Sequence, residues 1–142
     1  MLLSRGRIVE LKEFSSFSDA IKYVEDQLNG LEREAELVAG MLENIEEVSS
    51  SFEELSKELG GETHEAFYKA TIDDITLYIE PSPVVLEEVI KKRAQELSSL
   101  IEIYRKIGEV LKKASQALGD GDVTITLAIE PNEAKVFMRL KR

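Results

Sequence analysis

Apolar residues recur every three or four positions along two long stretches of this chain. In the first, Ile21, Val24, Leu28, Leu31, Ala35, Val38, Leu42 and Ile45 follow alternating steps of three and four. In the second, Leu86, Ile90, Leu97, Leu100, Tyr104, Ile107, Leu111, Ala114 and Leu118 do the same, with Arg93 at the one charged core position. A sustained 3.5-residue period is the signature of helices that pair as a supercoil. After Ile45 the apolar set resumes at Val48, Phe52, Leu55 and Leu59, one residue earlier than the heptad requires. A three-residue step of this kind overwinds a coiled coil. Ser49-Ser50-Ser51, with Glu53 and Glu54 following, also resembles a fresh helix start, so the pattern predicts a kink near 49–51.

The helix ends carry their own signals. Ser16, with Asp19 three residues on, opens the first helix, expected over 18–59, and Gly60-Gly61 closes it. Pro81-Ser82-Pro83 opens the second, with Ser82 as cap, Pro83 in the first turn and Glu87-Glu88 near the positive end of the dipole. This helix spans 83–118 and ends at Leu118-Gly119. Period-two segments flank and separate the helices. Residues 7–13 read as a short strand. Residues 66–80 fit two strands around Asp73-Asp74, with Ile75, Leu77 and Ile79 on one face, or a single bent strand, because Asp-Asp is a poorer turn than Asp-Gly. A terminal hairpin over 122–141 places Val123, Ile125, Leu127 and Ile129 on one strand, turns at Pro131-Asn132, and continues through Val136, Met138 and Leu140. Ile75-Thr-Leu-Tyr-Ile-Glu-Pro81 matches Ile125-Thr-Leu-Ala-Ile-Glu-Pro131 at six of seven positions, 50 residues apart. An αββ unit used twice and two strands selected for similar packing both account for this.

Element lengths limit how these pieces combine. A helix of about 42 residues is a rod of roughly 63 Å, and one of about 35 is roughly 52 Å. Strands of seven or so residues span only about 20–27 Å. A compact sandwich would leave half of each helix without cover. The expected fold is therefore α+β in a single domain over 1–142, in the order β-α-ββ-α-ββ. Two long antiparallel coiled-coil helices are joined by a β-hairpin, and the N-terminal strand and C-terminal hairpin form a small sheet.

Charge refines the picture. The chain carries 28 acids and 18 bases, a formal charge of −10, over 142 residues. Residues 14–83 hold 17 acids against 4 bases, whereas 84–118 hold 5 acids against 7 bases. An acidic first helix beside a slightly basic second one favours pairing between them over self-pairing of the first. The same balance speaks against nucleic acid as a partner, since a duplex binder needs a basic face for phosphates. No run of 18 uncharged apolar residues is present, so no membrane span is expected. The start, Met1-Leu2-Leu3-Ser4-Arg5-Gly6-Arg7, lacks the apolar core of a signal peptide, which implies a cytoplasmic protein. There is no cysteine, which removes disulfides, thiolate metal sites and thiol nucleophiles. A charged fraction of 32% with few Asn and Gln is a bias common in proteins from hot environments.

At this point the chain resembles prefoldin, specifically its β-type subunit. The likeness covers about residues 18–118: a heptad helix, a β-hairpin and a second heptad helix. Tyr68-Lys69 enters the hairpin as in that family, and Val85-Leu86-Glu87-Glu88-Val89 opens the second helix at about the family's distance. The acidity is similar too. The glycine that usually follows the Tyr-Lys pair is replaced by Ile72-Asp73-Asp74. The strand at 7–13 and the hairpin at 122–141 have no counterpart in a plain β-type subunit, and they sit where that family has free client-binding tips. The resemblance implies an ATP-independent holdase subunit inside a hetero-oligomer.

Candidate chemistry is sparse. His64, the single histidine, follows Gly-Gly-Glu-Thr in a polar loop and reads as solvated. Asp73-Asp74 with Glu65 or Glu80 has the oxygen donors for a hard cation, but a turn is the commoner use of such residues. Asp120-Gly121-Asp122 resembles the opening of a calcium loop without its later ligands and reads as a turn. Glu43, Glu46, Glu47, Glu53, Glu54 and Glu58 read as a solvated helix face. Gly30, Gly40 and Gly108 fall off the heptad core, as tolerated defects or places of close approach by another chain. Arg93 requires either an acidic partner from the first helix or a path out of the seam. No catalytic, cofactor or metal site is expected, and the chain is read as non-enzymatic.

What remains is apolar surface that two helices cannot cover. Leu37, Met41, Val85, Val89, Ile101, Ile103 and Val110 lie off the seam, and Phe67, Ile75, Leu77 and Ile79 lie on the central strands. A two-stranded hairpin is marginal without further packing, and open edges invite another chain. The expected interface therefore comprises Phe67, Ile75, Leu77, Ile79, Leu37, Met41, Ile101 and Ile103. The partner is protein: a homo- or hetero-oligomer, with unfolded clients as the chaperone reading and a dedicated partner as the scaffold or adaptor reading.

Overall fold

The computed structural model describes residues 10–59, 66–119 and 121–140. The chain is α+β, with two helices packed against each other and two small antiparallel sheets. The described elements are strand β1 (Glu10–Phe14), helix α1 (Phe17–Leu59), strands β2 (Ala66–Ile72) and β3 (Ile75–Pro81), helix α2 (Pro83–Leu118), and strands β4 (Val123–Ile129) and β5 (Ala134–Leu140). One sheet has the order β1-β4-β5 and the other is the β2-β3 pair. Residues 7–9 of the expected first strand, Gly60, Gly61, His64, Glu65 and Asp120 lie outside the described residues.

Each helix terminus follows from local chemistry. The Asp19 amide donates to Ser16 Oγ at 3.1 Å, so Ser16 caps α1. Val84 N–H donates to Ser82 Oγ at 3.2 Å, and the Val85 and Leu86 amides donate to the Ser82 carbonyl. Pro83 occupies the first turn, where its missing N–H has no helical partner to lose. At the far end the Gly119 amide donates to the Ser115 carbonyl at 2.8 Å with φ of +75°. This is a left-handed C-terminal cap, which glycine adopts without a steric penalty.

The helices run through two compact units, one containing residues up to 35 and from 96 onward, the other residues 36–95. In the first unit, β4 is the central strand. Val123, Ile125, Leu127 and Ile129 point to one face and are buried with Phe17, Ala20 and Val24 of α1 and Tyr104, Ile107 and Leu111 of α2. Register places Ile125 beside Phe14 and Met138, Leu127 beside Lys12 and Val136, and Ile129 beside Glu10 and Ala134. The helix-facing side of the sheet is therefore apolar on β4 and β5 and partly charged on β1. In this unit Glu25 pairs with Lys112 and Glu32 with Arg105, so a seven-residue advance on α1 matches a seven-residue retreat on α2. The helices are antiparallel there. Both ion pairs are half-exposed, at 3.6 and 3.5 Å, and add little stability. A methyl at Gly108 would meet Val24 Cγ1 at 3.6 Å, an ordinary contact, so this glycine marks where α2 passes α1.

In the second unit the expected shift of register after Ile45 does not occur. Helix α1 is continuous from Phe17 to Leu59. Ser49 is 2% exposed while Val48 is 52% exposed. The inward positions are thus Val38, Leu42, Ile45, Ser49 and Phe52, which keep the alternation of three and four. Hydrophobicity alone misassigns this turn, because a serine occupies the inward site and a valine the outward one. The expected fresh helix start at Ser49–Ser51 is corrected with it: a serine buried inside a continuous helix is not an N-cap.

The segment 66–81 is a hairpin with a two-residue turn. Ile72 pairs with Ile75, and Asp73 and Asp74 have φ of 48° and 66°. Positive φ at both central residues defines the type I′ turn that matches strand twist, so the single bent strand is excluded. Aspartate tolerates this region better than most residues but not as well as glycine.

Two outcomes follow. Leu97→Ala, at a site with no exposure, is expected to cost about 2–5 kcal/mol in urea unfolding, and Glu96→Ala, on the exposed side, less than about 0.5 kcal/mol. Asp74→Gly is expected to stabilise the hairpin by about 1 kcal/mol, read as slower amide exchange over 66–81; faster exchange would contradict the turn type.

Candidate interaction surface

The hairpin's cross-strand register sorts its side chains into two chemically different faces. Ala66 pairs with Pro81, Tyr68 with Ile79, Ala70 with Leu77 and Ile72 with Ile75. Directly opposed residues share a face, so these eight apolar or aromatic residues form one contiguous side without a charge. Lys69, Thr71, Thr76 and Tyr78 occupy the other, where the Lys69 ammonium lies 5.4 Å from the Tyr78 ring centre. Much of the apolar side stands in solvent: Ile75 is 71% exposed, Leu77 46% and Ile79 44%. Tyr68 and Ile72 are exposed as well. Soluble chains rarely leave a contiguous patch of this kind unless it binds something.

The repeated strand sequence supplies an internal control. Ile125, Leu127 and Ile129 have no exposure, and they occupy the same positions in the repeat as Ile75, Leu77 and Ile79. One copy is covered by two helices and flanked by two strands. Among the described residues the other has one neighbouring strand, and its side chains are exposed. Sequence identity does not set burial; available cover does.

The remaining expected interface residues divide between the units. Leu37 and Met41 stand exposed on α1 in the unit formed by 36–95. Ile101 and Ile103 belong to the other unit, where both are half-buried and Ile103 packs against the core. The side chain of Phe67 lies outside the described residues. The structure therefore brings Ile75, Leu77 and Ile79 together on one sheet face and uses Ile103 within the chain. Tyr68 and Ile72, absent from the expected set, complete that face; their signal was the period-two alternation on β2 opposite the same alternation on β3.

Polar chemistry concentrates elsewhere, inside the first unit. Tyr104 Oη donates to Glu10 Oε1 at 2.8 Å. The Tyr23 phenol of α1 lies close enough to this carboxylate to feel its charge. The Tyr23 ring lies 5.2 Å from Phe14 and 5.5 Å from the Lys12 ammonium. Burial, and then the hydrogen bond and charge of Glu10, push both phenols well above their ordinary value. Each phenol is held protonated, and so acts as a donor and cannot serve as a base. The cluster ties β1 to both helices. Heptad reading had taken Tyr104 as an ordinary seam residue; the clue was a polar-tipped aromatic at a core position, which requires a partner.

No group of three His, Cys, Asp or Glu among the described residues is arranged to hold a metal. Asp73 and Asp74 form the hairpin turn. Among the described residues no helix is long and apolar enough to cross a membrane. No family model, curated protein or solved structure matches the chain.

The tyrosine cluster sets a pH dependence. Both phenols ionise at higher pH folded than unfolded, so their contribution is fully present below about pH 10 and is lost as pH rises above that value. Tyr104→Phe is expected to cost about 1.5–3 kcal/mol at neutral pH and to flatten the loss of stability above pH 10. Denaturant unfolding of both proteins from neutral to alkaline pH checks this; parallel pH curves would show that Tyr104 is not linked to folding.

Proposed function

We propose that this chain is a non-enzymatic assembly subunit that works through its paired helices, packed as a coiled coil, and through its hairpin. In the sense of the prefoldin resemblance, it holds unfolded proteins without nucleotide. The observation that carries the reading is the uncharged, solvent-exposed face formed by Tyr68, Ile72, Ile75, Leu77 and Ile79.

Magnitudes indicate how such a face would act. Covering five partly exposed apolar side chains is worth on the order of 5 kcal/mol. Association costs about 4–15 kcal/mol in lost translational and rotational freedom. One hairpin therefore binds weakly and reversibly, which suits transient holding. Several hairpins in one oligomer would bind firmly through effective concentration.

A scaffold or adaptor with a dedicated partner is the second reading, and a particular observation favours it. The β1-β4-β5 sheet packs against Phe17, Ala20 and Val24 of α1 and Tyr104, Ile107 and Leu111 of α2 in one buried core. They lie in the segments that the prefoldin family leaves as free tips.

The two readings separate in one assay. As a holdase, the chain suppresses light scattering from an unrelated protein unfolding on heating, without nucleotide, and Ile75→Lys with Leu77→Lys abolishes the effect. An adaptor leaves that aggregation unchanged. Static light scattering at micromolar concentration reads the assembly itself: a mass above the 16.0 kDa of one chain is expected, and a stable monomer would overturn assembly through the hairpin.

A further inference from the structure

Helix α1 carries a second heptad stripe that the described residues of its own chain leave exposed. Leu37, Met41, Asn44, Val48, Ser51 and Leu55 follow steps of four, three, four, three and four. The inward residues Val38, Leu42, Ile45, Ser49 and Phe52 follow the same rhythm about 100° further around the helix. Inward and outward stripes therefore differ in cover and share their periodicity. Leu37, Met41, Val48 and Leu55 are between 52% and 71% exposed, and Asn44 and Ser51 are exposed with them. All six lie in the unit formed by residues 36–95.

Three features of this stripe define what would cover it. Its spacing over nearly three heptads matches the seam of another helix and not a flat sheet. Asn44 stands at a seam position, where a buried asparagine requires a matching polar group and so fixes register. Its far edge carries Gly40, Glu47 and Glu54, one heptad apart. A methyl at Gly40 would meet nothing within 4 Å, although glycine there costs the helix about 1 kcal/mol relative to alanine. The bare backbone leaves room for a close neighbour.

Charge decides between a second copy and a different partner. Residues 36–59 hold seven acids, Glu36, Glu43, Glu46, Glu47, Glu53, Glu54 and Glu58, against the single base Lys57. Two such helices packed antiparallel would place Glu47 and Glu54 beside their own counterparts, and packed parallel would set these carboxylates against the apolar Ile45 and Phe52; neither arrangement offers the glutamates a cation. A partner helix with lysine or arginine flanking its apolar residues would meet Glu47 and Glu54 favourably. We propose that the outward stripe of α1 binds a basic amphipathic helix of another protein, with Asn44 setting its register. This site is distinct from the hairpin face.

Fluorescence anisotropy with the full chain tests the proposal. The probe is a labelled synthetic helix of three heptads, with leucine at its seam, one asparagine and lysine at the flanking positions. A twin with glutamate in place of lysine is the control. The lysine peptide is expected to bind and the glutamate peptide not to, with binding weakened by added salt. Val48→Glu is expected to weaken binding at least about tenfold, and Leu37→Gln to weaken it as well. Both positions are exposed, and circular dichroism verifies folding. Ile75→Lys, which impairs the hairpin face, leaves peptide binding unchanged, so failure of the hairpin reading is distinguishable. Equal binding to the wild-type chain and Val48→Glu would reveal general attraction to an acidic protein and overturn the site. Equal binding of the two peptides, or none, would also overturn it. A fall in solution mass on Val48→Glu without peptide binding would assign the stripe to self-association.

Discussion

Burial of β4 is the constraint on which the rest of the first unit depends. Its four inward residues, Val123, Ile125, Leu127 and Ile129, are almost wholly removed from solvent. Side chains of this size contribute about 1.5–3 kcal/mol each when fully buried. A central strand needs a neighbour on each edge and cover on its apolar face. Strands β1 and β5 satisfy the edges, and Phe17, Val24, Tyr104, Ile107 and Leu111 supply the cover. The cost of using β1 as a neighbour is that Glu10 and Lys12 then face the helices. Tyr104, Tyr23 and the Tyr23 ring face resolve this with a hydrogen bond, a second phenol and a cation–π contact. Replacing Tyr104 would remove the hydrogen bond that the half-buried Glu10 carboxylate accepts.

The second unit follows the same rules with less material. Its hairpin shares six of seven residues of that strand sequence and has a well-formed turn and a capped helix after it, yet among the described residues no third strand joins the β2-β3 pair. Ser49 occupies an inward position that an aliphatic residue would fill more favourably. Val38 and Ile90 are buried there, whereas Leu86 keeps part of its surface in solvent. Every local signal for folding is present, and what distinguishes this unit is limited cover.

Much of this was legible in the residues, because the relevant signals are local. Ser16, Ser82, Pro83 and Gly119 mark helix ends through hydrogen bonds that any sequence reading can anticipate. The period of two along Val123–Ile129 shows which side of β4 is inward. The failures were of another kind. Val48 was read as inward because hydrophobicity was the criterion, but burial follows the continuity of the helix, which carries Ser49 inward. Asp73-Asp74 left the turn ambiguous, since the strain of positive φ is visible only in the folded backbone. The Glu10–Tyr23–Tyr104 cluster joins residues up to 94 positions apart, and no spacing rule reaches that far. Exposure of the hairpin was inferable only as a shortage of cover.

Uneven cover also has a thermodynamic consequence for binding. Local opening free energy follows buried apolar contact, so the unit formed by 36–95 lies at the low end of the chain's stability. Both helices are continuous, α1 from Phe17 to Leu59 and α2 from Pro83 to Leu118. A ligand that covers the hairpin or the outward stripe of α1 binds only the ordered form of the second unit. By mass action it stabilises that form in proportion to the logarithm of its saturation. For any such ligand, binding and order in 36–95 would be reciprocal.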